Sequence, residues 1–246
     1  MSAALEKVQK SPLQVRVVPF VIFLALTACQ GQFGATSQYW FYLAKVIVGA
    51  WAIWLMRPFV PEMRWQFGWE AVIVGIIVFV LWVGLDPFYP SGEQLVQNYL
   101  CPVLKKLDLE SWCPQPSESK SPWNPFASFP TNQGLAWVIA MGRVFGSTLV
   151  VPPLEEVFYR SFLYRYVVRP DFQNVSLNTF KLGPFLIVAV IFGLAHREWL
   201  PGILCAAAYQ GLVIRRNRLG DAIVAHAITN FLLGLWVIWR DDWHFW

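Results

Sequence analysis

Two adjacent glutamates and an arginine stand in an otherwise apolar run, Leu154-Glu155-Glu156-Val157-Phe158-Tyr159-Arg160. Ionisable side chains inside hydrophobic segments are costly and mark function by default. If the run is helical, Glu156 and Arg160 lie one turn apart and can pair. Glu155 is rotated by about 100° from its neighbour and stays outside that pair. It is then the carboxylate available as a general base, while Arg160 holds Glu156 ionised as a brace. Two further clusters follow. Phe192-Gly193-Leu194-Ala195-His196 closes one apolar run on a histidine, and His226 with Asn230 forms an i, i+4 pair on one face of another. A histidine can help activate water, and a His–Asn pair can donate to an oxyanion forming in a dry cavity. Each cluster taken alone also reads as structural: a buried ion pair, an interfacial histidine, an interhelical hydrogen bond. Their recurrence on three separate spans favours chemistry, because a bundle gathers into its interior the groups that lipid will not hold.

The three clusters, in this order, resemble the E-E-x-x-x-R, F-x-x-x-H and H-x-x-x-N motifs of the CPBP or Abi family of CAAX-processing and bacteriocin-processing intramembrane proteases. That family includes the type II CAAX prenyl endopeptidases. The resemblance covers roughly residues 135–239, and the first half of the chain carries no motif. It implies an intramembrane endopeptidase in which Glu155 and His196 activate water, and His226 and Asn230 stabilise the oxyanion. It also implies a membrane-associated peptide or protein substrate, with lipidation left open. A zinc version of the same protease uses Glu155, His196 and His226, since two histidines and a glutamate form a catalytic ligand set. The metal-free version is preferred, because Asn230 on the face of His226 suits an oxyanion hole better than a metal shell. A non-catalytic membrane scaffold or maturation partner, and a proton-coupled transporter using Glu155, Glu156 and Arg143, are the readings from other classes.

These residues need a scaffold of membrane helices. Of the 246 residues, 57% are hydrophobic and only 14% charged, against about 25% charge in soluble domains. The expected fold is an all-α, polytopic bundle of about seven to eight transmembrane helices forming one integral membrane unit. Helices are expected at about 15–30, 38–56, 68–85, from 134 onward, and at 182–196, 200–214 and 219–239. Residues 1–133 supply N-terminal spans and a proline-rich loop at about 86–132, and 134–246 supply the catalytic core. Eight prolines forbid a continuous helix through that loop. Pro152-Pro153 is expected to interrupt the fourth helix, with LEEVFYR restarting behind it.

Basic residues flank alternate ends of these spans: Lys7, Lys10 and Arg16; Arg57 and Arg64; Arg165, Arg169 and Lys181; Arg215, Arg216 and Arg218. The positive-inside rule then puts the N-terminus in the cytoplasm and the C-terminus outside, with a bacterial inner membrane favoured. Trp236, Trp239, Trp243 and Trp246 would belong to the outer aromatic belt. In this frame Glu155 lies near the cytoplasmic face and His196 toward the outside. They meet only if the helix continues within the membrane past Pro153, or if the next one begins deeper. Cys101 and Cys113 share the polar loop and can form a disulfide if it faces an oxidising compartment. No run of basic residues with interleaved aromatics suggests nucleic acid, and no CxxC or HExxH spacing appears.

Overall fold

A computed structural model describes residues 3–113 and 123–246. It is 77% helical without strands, so the all-α reading holds. We number its main helices α1 (Gln14–Ala28), α2 (Ser37–Met56), α3 (Trp69–Leu85), α4 (Gln133–Val168), α5 (Leu182–Leu194), α6 (Trp199–Arg216) and α7 (Leu219–Arg240). Among the described residues, four helical stretches are long and apolar enough to cross a membrane: Ser37–Phe59, Trp69–Phe88, Gln133–Val168 and Leu219–Arg240. α1 and α5 are apolar but shorter. On the long helices, positions left uncovered by protein are apolar, such as Ile47, Ile77 and Val138. The chain is an integral membrane protein.

The helices run up and down between two chemically distinct ends. At one end Glu62, in the α2–α3 connection, receives Arg16 Nη2 at 2.7 Å and Arg165 Nη2 at 3.0 Å. The Ser161 hydroxyl also donates to it. Burial opposes the charge on Glu62, but Arg16 and Ser161 outweigh it and hold the carboxyl below its usual range. At the same end the Asp221 carboxylate accepts from Gly68 N–H at 2.7 Å, and Arg216 pairs with Glu70 at 3.3 Å. At the opposite end Trp199 Nε1–H donates to Pro90 O at 2.9 Å, and Tyr39 O–H to Asn124 O at 2.9 Å. The 86–113 segment there forms short helical turns pinned by a Cys101–Cys113 disulfide. Through its described residues the proline-rich loop forms no continuous helix, as expected, and residues 114–122 lie outside the described residues.

Two sequence-based expectations need correction, whereas the interruption of α4 at Pro152-Pro153 stands. The break is confined to Val150, whose φ and ψ of −104° and −44° remain helical, and the helix restarts at Val151 with the prolines in its first turn and continues to Val168. Beyond Glu156 the turns widen into a π-type segment, Val157–Leu163, a feature common at functional positions. His196 does not close α5, which ends at Leu194; it lies in the turn that leads into α6. Trp243 and Trp246 do not sit in an outer belt. Trp243 is buried and Trp246 packs against Trp123 at 5.5 Å, because burying large rings between protein elements gains more than leaving them at an interface.

α3 and α7 cross closely at the centre of the bundle. A Cβ on Gly75 would come within 2.6 Å of the Ala225 carbonyl oxygen, so only glycine permits this approach. The Thr229 hydroxyl donates to Gly75 O at 2.8 Å and accepts from Tyr209 O–H at 2.7 Å, tying α6, α7 and α3 together. This crossing fixes the rotation of α7, and with it the direction of His226 and Asn230.

Candidate active site

A cavity of about 410 Å³ lies among α1, α2, α4, α6 and α7 and the α5–α6 turn. Glu155, His196, His226 and Asn230 all line it. Its wall includes Glu198, Phe245 and Trp246, so it lies toward the end that carries the disulfide. The topological difficulty is resolved by helix lengths. α4 runs on past Glu155 to Val168, which keeps the glutamate at depth, and α5 spans only 13 residues, which brings His196 back into the bundle.

The two glutamates face different surroundings. Glu156 is 0% exposed, pairs with Arg160 at 3.0 Å and accepts from His226 Nδ1–H at 2.9 Å. The Glu156–Arg160 contact is ionic without hydrogen-bond directionality, and the guanidinium lies 4.5 Å from the centre of the Phe192 ring. Glu155 points into the cavity, and its Oε2 is buried without a protein hydrogen-bond partner. A buried, unpaired carboxylate oxygen is costly. It is an acceptor placed for a ligand or water.

The histidines are oriented through their Nδ1 atoms. His196 Nδ1 lies 2.7 Å from Phe192 O. A carbonyl only accepts, so the proton sits on Nδ1 and Nε2 is left as an acceptor. The ring stacks on Phe192 at 4.5 Å and meets Trp82 edge-on at 5.7 Å, which fixes its plane. His226 gives its Nδ1 proton to Glu156 and stacks on Tyr209 at 5.4 Å. Asn230 donates one amide hydrogen to Ser147 O at 2.8 Å and keeps the other. Lys45 and Tyr209 also line the cavity, and the motif reading missed both. Lys45 had a signal, being a cation in the middle of an apolar span. Tyr209 had none.

The donors that would hold zinc, Glu155, His196 and His226, share this cavity. Among the described residues, however, no three His, Cys, Asp or Glu side chains are gathered as a metal-binding group. Each histidine commits Nδ1 within the protein and keeps Nε2 for a ligand, an orientation that metal-binding histidines share.

Residues 132–232 match the Rce1-like family, described as type II CAAX prenyl endopeptidase Rce1-like. The matched stretch contains all three motif clusters. No individual curated protein and no solved structure matches the chain. Over that stretch, which is less than half of the chain, the sequence is similar to the type II CAAX prenyl endopeptidases.

Proposed function

We propose that this membrane protein is an endopeptidase in which Glu155 and His196 together activate water. The observation that supports it most is the separation of the two acids: Glu155 opens into the cavity with His196, while Glu156 is sealed behind it by Arg160 and His226. Water held between the Glu155 carboxylate and His196 Nε2 loses a proton to Glu155 as it attacks the scissile carbonyl. The oxyanion is stabilised by the free amide hydrogen of Asn230 and by His226. With Nδ1–H directed at Glu156, His226 donates from Nε2 only as the imidazolium. Glu155 then returns its proton to the departing amine, so one peptide bond and one water become a carboxyl and an amine.

The substrate is a membrane-associated peptide or protein. The basic residues gathered at one end of the bundle support a cytoplasmic N-terminus in a bacterial inner membrane. In that orientation the cavity lies toward the outer side, where the disulfide is at home. The decisive experiment measures cleavage by the purified chain of farnesylated and unmodified peptides, with and without a zinc chelator. Glu155→Gln is expected to lower kcat by about 10²–10⁴-fold with little change in thermal stability. A variant keeping more than about a tenth of the rate would remove Glu155 from the role of general base. Inactivation by chelation, reversed by zinc, would overturn the metal-free mechanism.

A further inference from the structure

At the basic end of the bundle Arg16, Arg165, Arg216 and Arg218 each reach a carboxylate. Arg57 and Arg64, in the α2–α3 connection, do not. Both are exposed, and among the described residues neither forms an ion pair. Glu62 lies between them in sequence, but Arg16 and Arg165 already take its charge. The two unpaired arginines border a single open depression of about 500 Å³, a volume within the range of small-ligand sites. Val60 and Met63, both buried, line it with apolar side chains. Trp54, on the last turn of α2, completes the wall and is 71% exposed. Phe59, in the turn that follows, is 41% exposed. Indole rings left uncovered at the end of a membrane span belong at headgroup level. The depression thus joins two positive charges to an aromatic surface at the height of the lipid phosphates.

We propose that this depression binds the headgroup of an anionic glycerophospholipid, with Arg57 and Arg64 on the phosphate and Trp54 against the glycerol. A forked guanidinium edge holds two phosphate oxygens at once, and basic pockets beside membrane helices recognise anionic headgroups in this way. The net charge of the lipid sets the selectivity. In phosphatidylcholine the choline cation balances the phosphate within the same headgroup, whereas phosphatidylglycerol leaves its negative charge for the arginines. A lipid phosphate fits better than free phosphate, because Trp54 and Phe59 offer uncovered aromatic surface that a dissolved ion does not use. A headgroup held there fixes the depth of this end of α2, the helix that carries Tyr42 and Lys45 to the cavity wall. The site does not depend on the assignment of Glu155.

The test counts bound lipid. The full-length chain in a maltoside detergent receives phosphatidylglycerol or phosphatidylcholine with the same acyl chains, and native mass spectrometry gives the occupancy of the first lipid bound. Phosphatidylglycerol is expected to bind about 10- to 30-fold more tightly, as two arginines facing an anionic headgroup allow. Arg57→Gln combined with Arg64→Gln should remove that preference and leave the weaker phosphatidylcholine binding unchanged. Lysine at the same two positions should keep part of it, since the point charges remain without the fork. Arg215→Gln is the control. Arg215 is exposed at the same end but lies outside the depression, so its loss should leave the preference in place. Equal binding of the two lipids by the wild-type chain overturns the proposal. So does a preference that survives the double variant, or one that Arg215→Gln lowers as much, since the attraction would then belong to the basic face as a whole. Inorganic phosphate in large excess should not displace the lipid; displacement would reassign the depression to a dissolved anion and overturn the lipid reading. Should the double variant fail to fold, the two single glutamine variants, each expected to lose part of the preference, decide instead. Cleavage is not read at any point, so this outcome is separate from that of Glu155→Gln.

Discussion

Neighbouring residues of the same type divide their tasks by direction. Glu155 and Glu156 are consecutive, yet one opens into the cavity and the other is closed off by Arg160 and His226. Glu156→Gln should therefore differ in kind from Glu155→Gln. It leaves the Arg160 charge buried among Tyr159, Phe192 and Tyr209 with no anion beside it. The cost is about 3 kcal/mol, the lower range for breaking a buried pair. It also takes from His226 the carboxylate that its Nδ1–H is directed at. Thermal melting in detergent should show a clear drop in Tm for Glu156→Gln and almost none for Glu155→Gln. Equal Tm values would show that Glu156 is not the brace described here.

Helix packing sets the directions in which these side chains point. The α3–α7 crossing at Gly75 holds the rotation of α7, and a methyl group there meets a carbonyl rather than a yielding side chain. Gly75→Ala should then destabilise the chain by about 1–3 kcal/mol, as overpacking does, and lower activity by turning His226 and Asn230 away from the cavity. A variant as stable and active as wild type would show that the crossing has slack. At the other end of α4, Glu62 is clamped between Arg16 and Arg165 with its carboxyl held below the usual range. A depressed carboxylate contributes stability that is present above its unfolded pKa of about 4.3 and is lost as pH falls through the lower folded value. Stability should thus fall as the solution is taken below about pH 4, and Glu62→Gln, already weakened at neutral pH, should show a flatter acid limb. Parallel acid limbs for the two chains would assign the acid sensitivity to other carboxylates.

Across the whole molecule, the two ends differ in charge and in covalent chemistry. Arg16, Arg165, Arg216 and Arg218 gather at one end in contact with Glu62, Glu70 and Asp221, and the Cys101–Cys113 disulfide marks the other. A single orientation satisfies both the positive-inside rule and an oxidising outer compartment. A membrane-impermeant maleimide applied to intact cells should label Gln133→Cys, at the disulfide end, and should reach Gln173→Cys only after permeabilisation. The reverse pattern would invert the protein and put the cavity on the cytoplasmic side.

The sequence by itself determined the class of solvent, the all-α architecture and the family resemblance of residues 132–232, because low charge content and motif order survive without coordinates. It also determined the Glu156–Arg160 pair, since an i, i+4 contact is local to one helix. It did not determine whether Glu155 and His196 share a cavity. That depended on α4 running past Pro152-Pro153 and on α5 stopping at 13 residues, so that His196 falls in a turn. The bond from His226 to Glu156 and the meeting of Lys45 with Arg143 join residues far apart in the chain. The burial of Trp243 against Phe126 was equally hidden. Residue spacing along a helix encodes the faces of that helix. The depth, tilt and rotation of one helix against another come from side-chain packing across the bundle, and that was decided only in the tertiary structure.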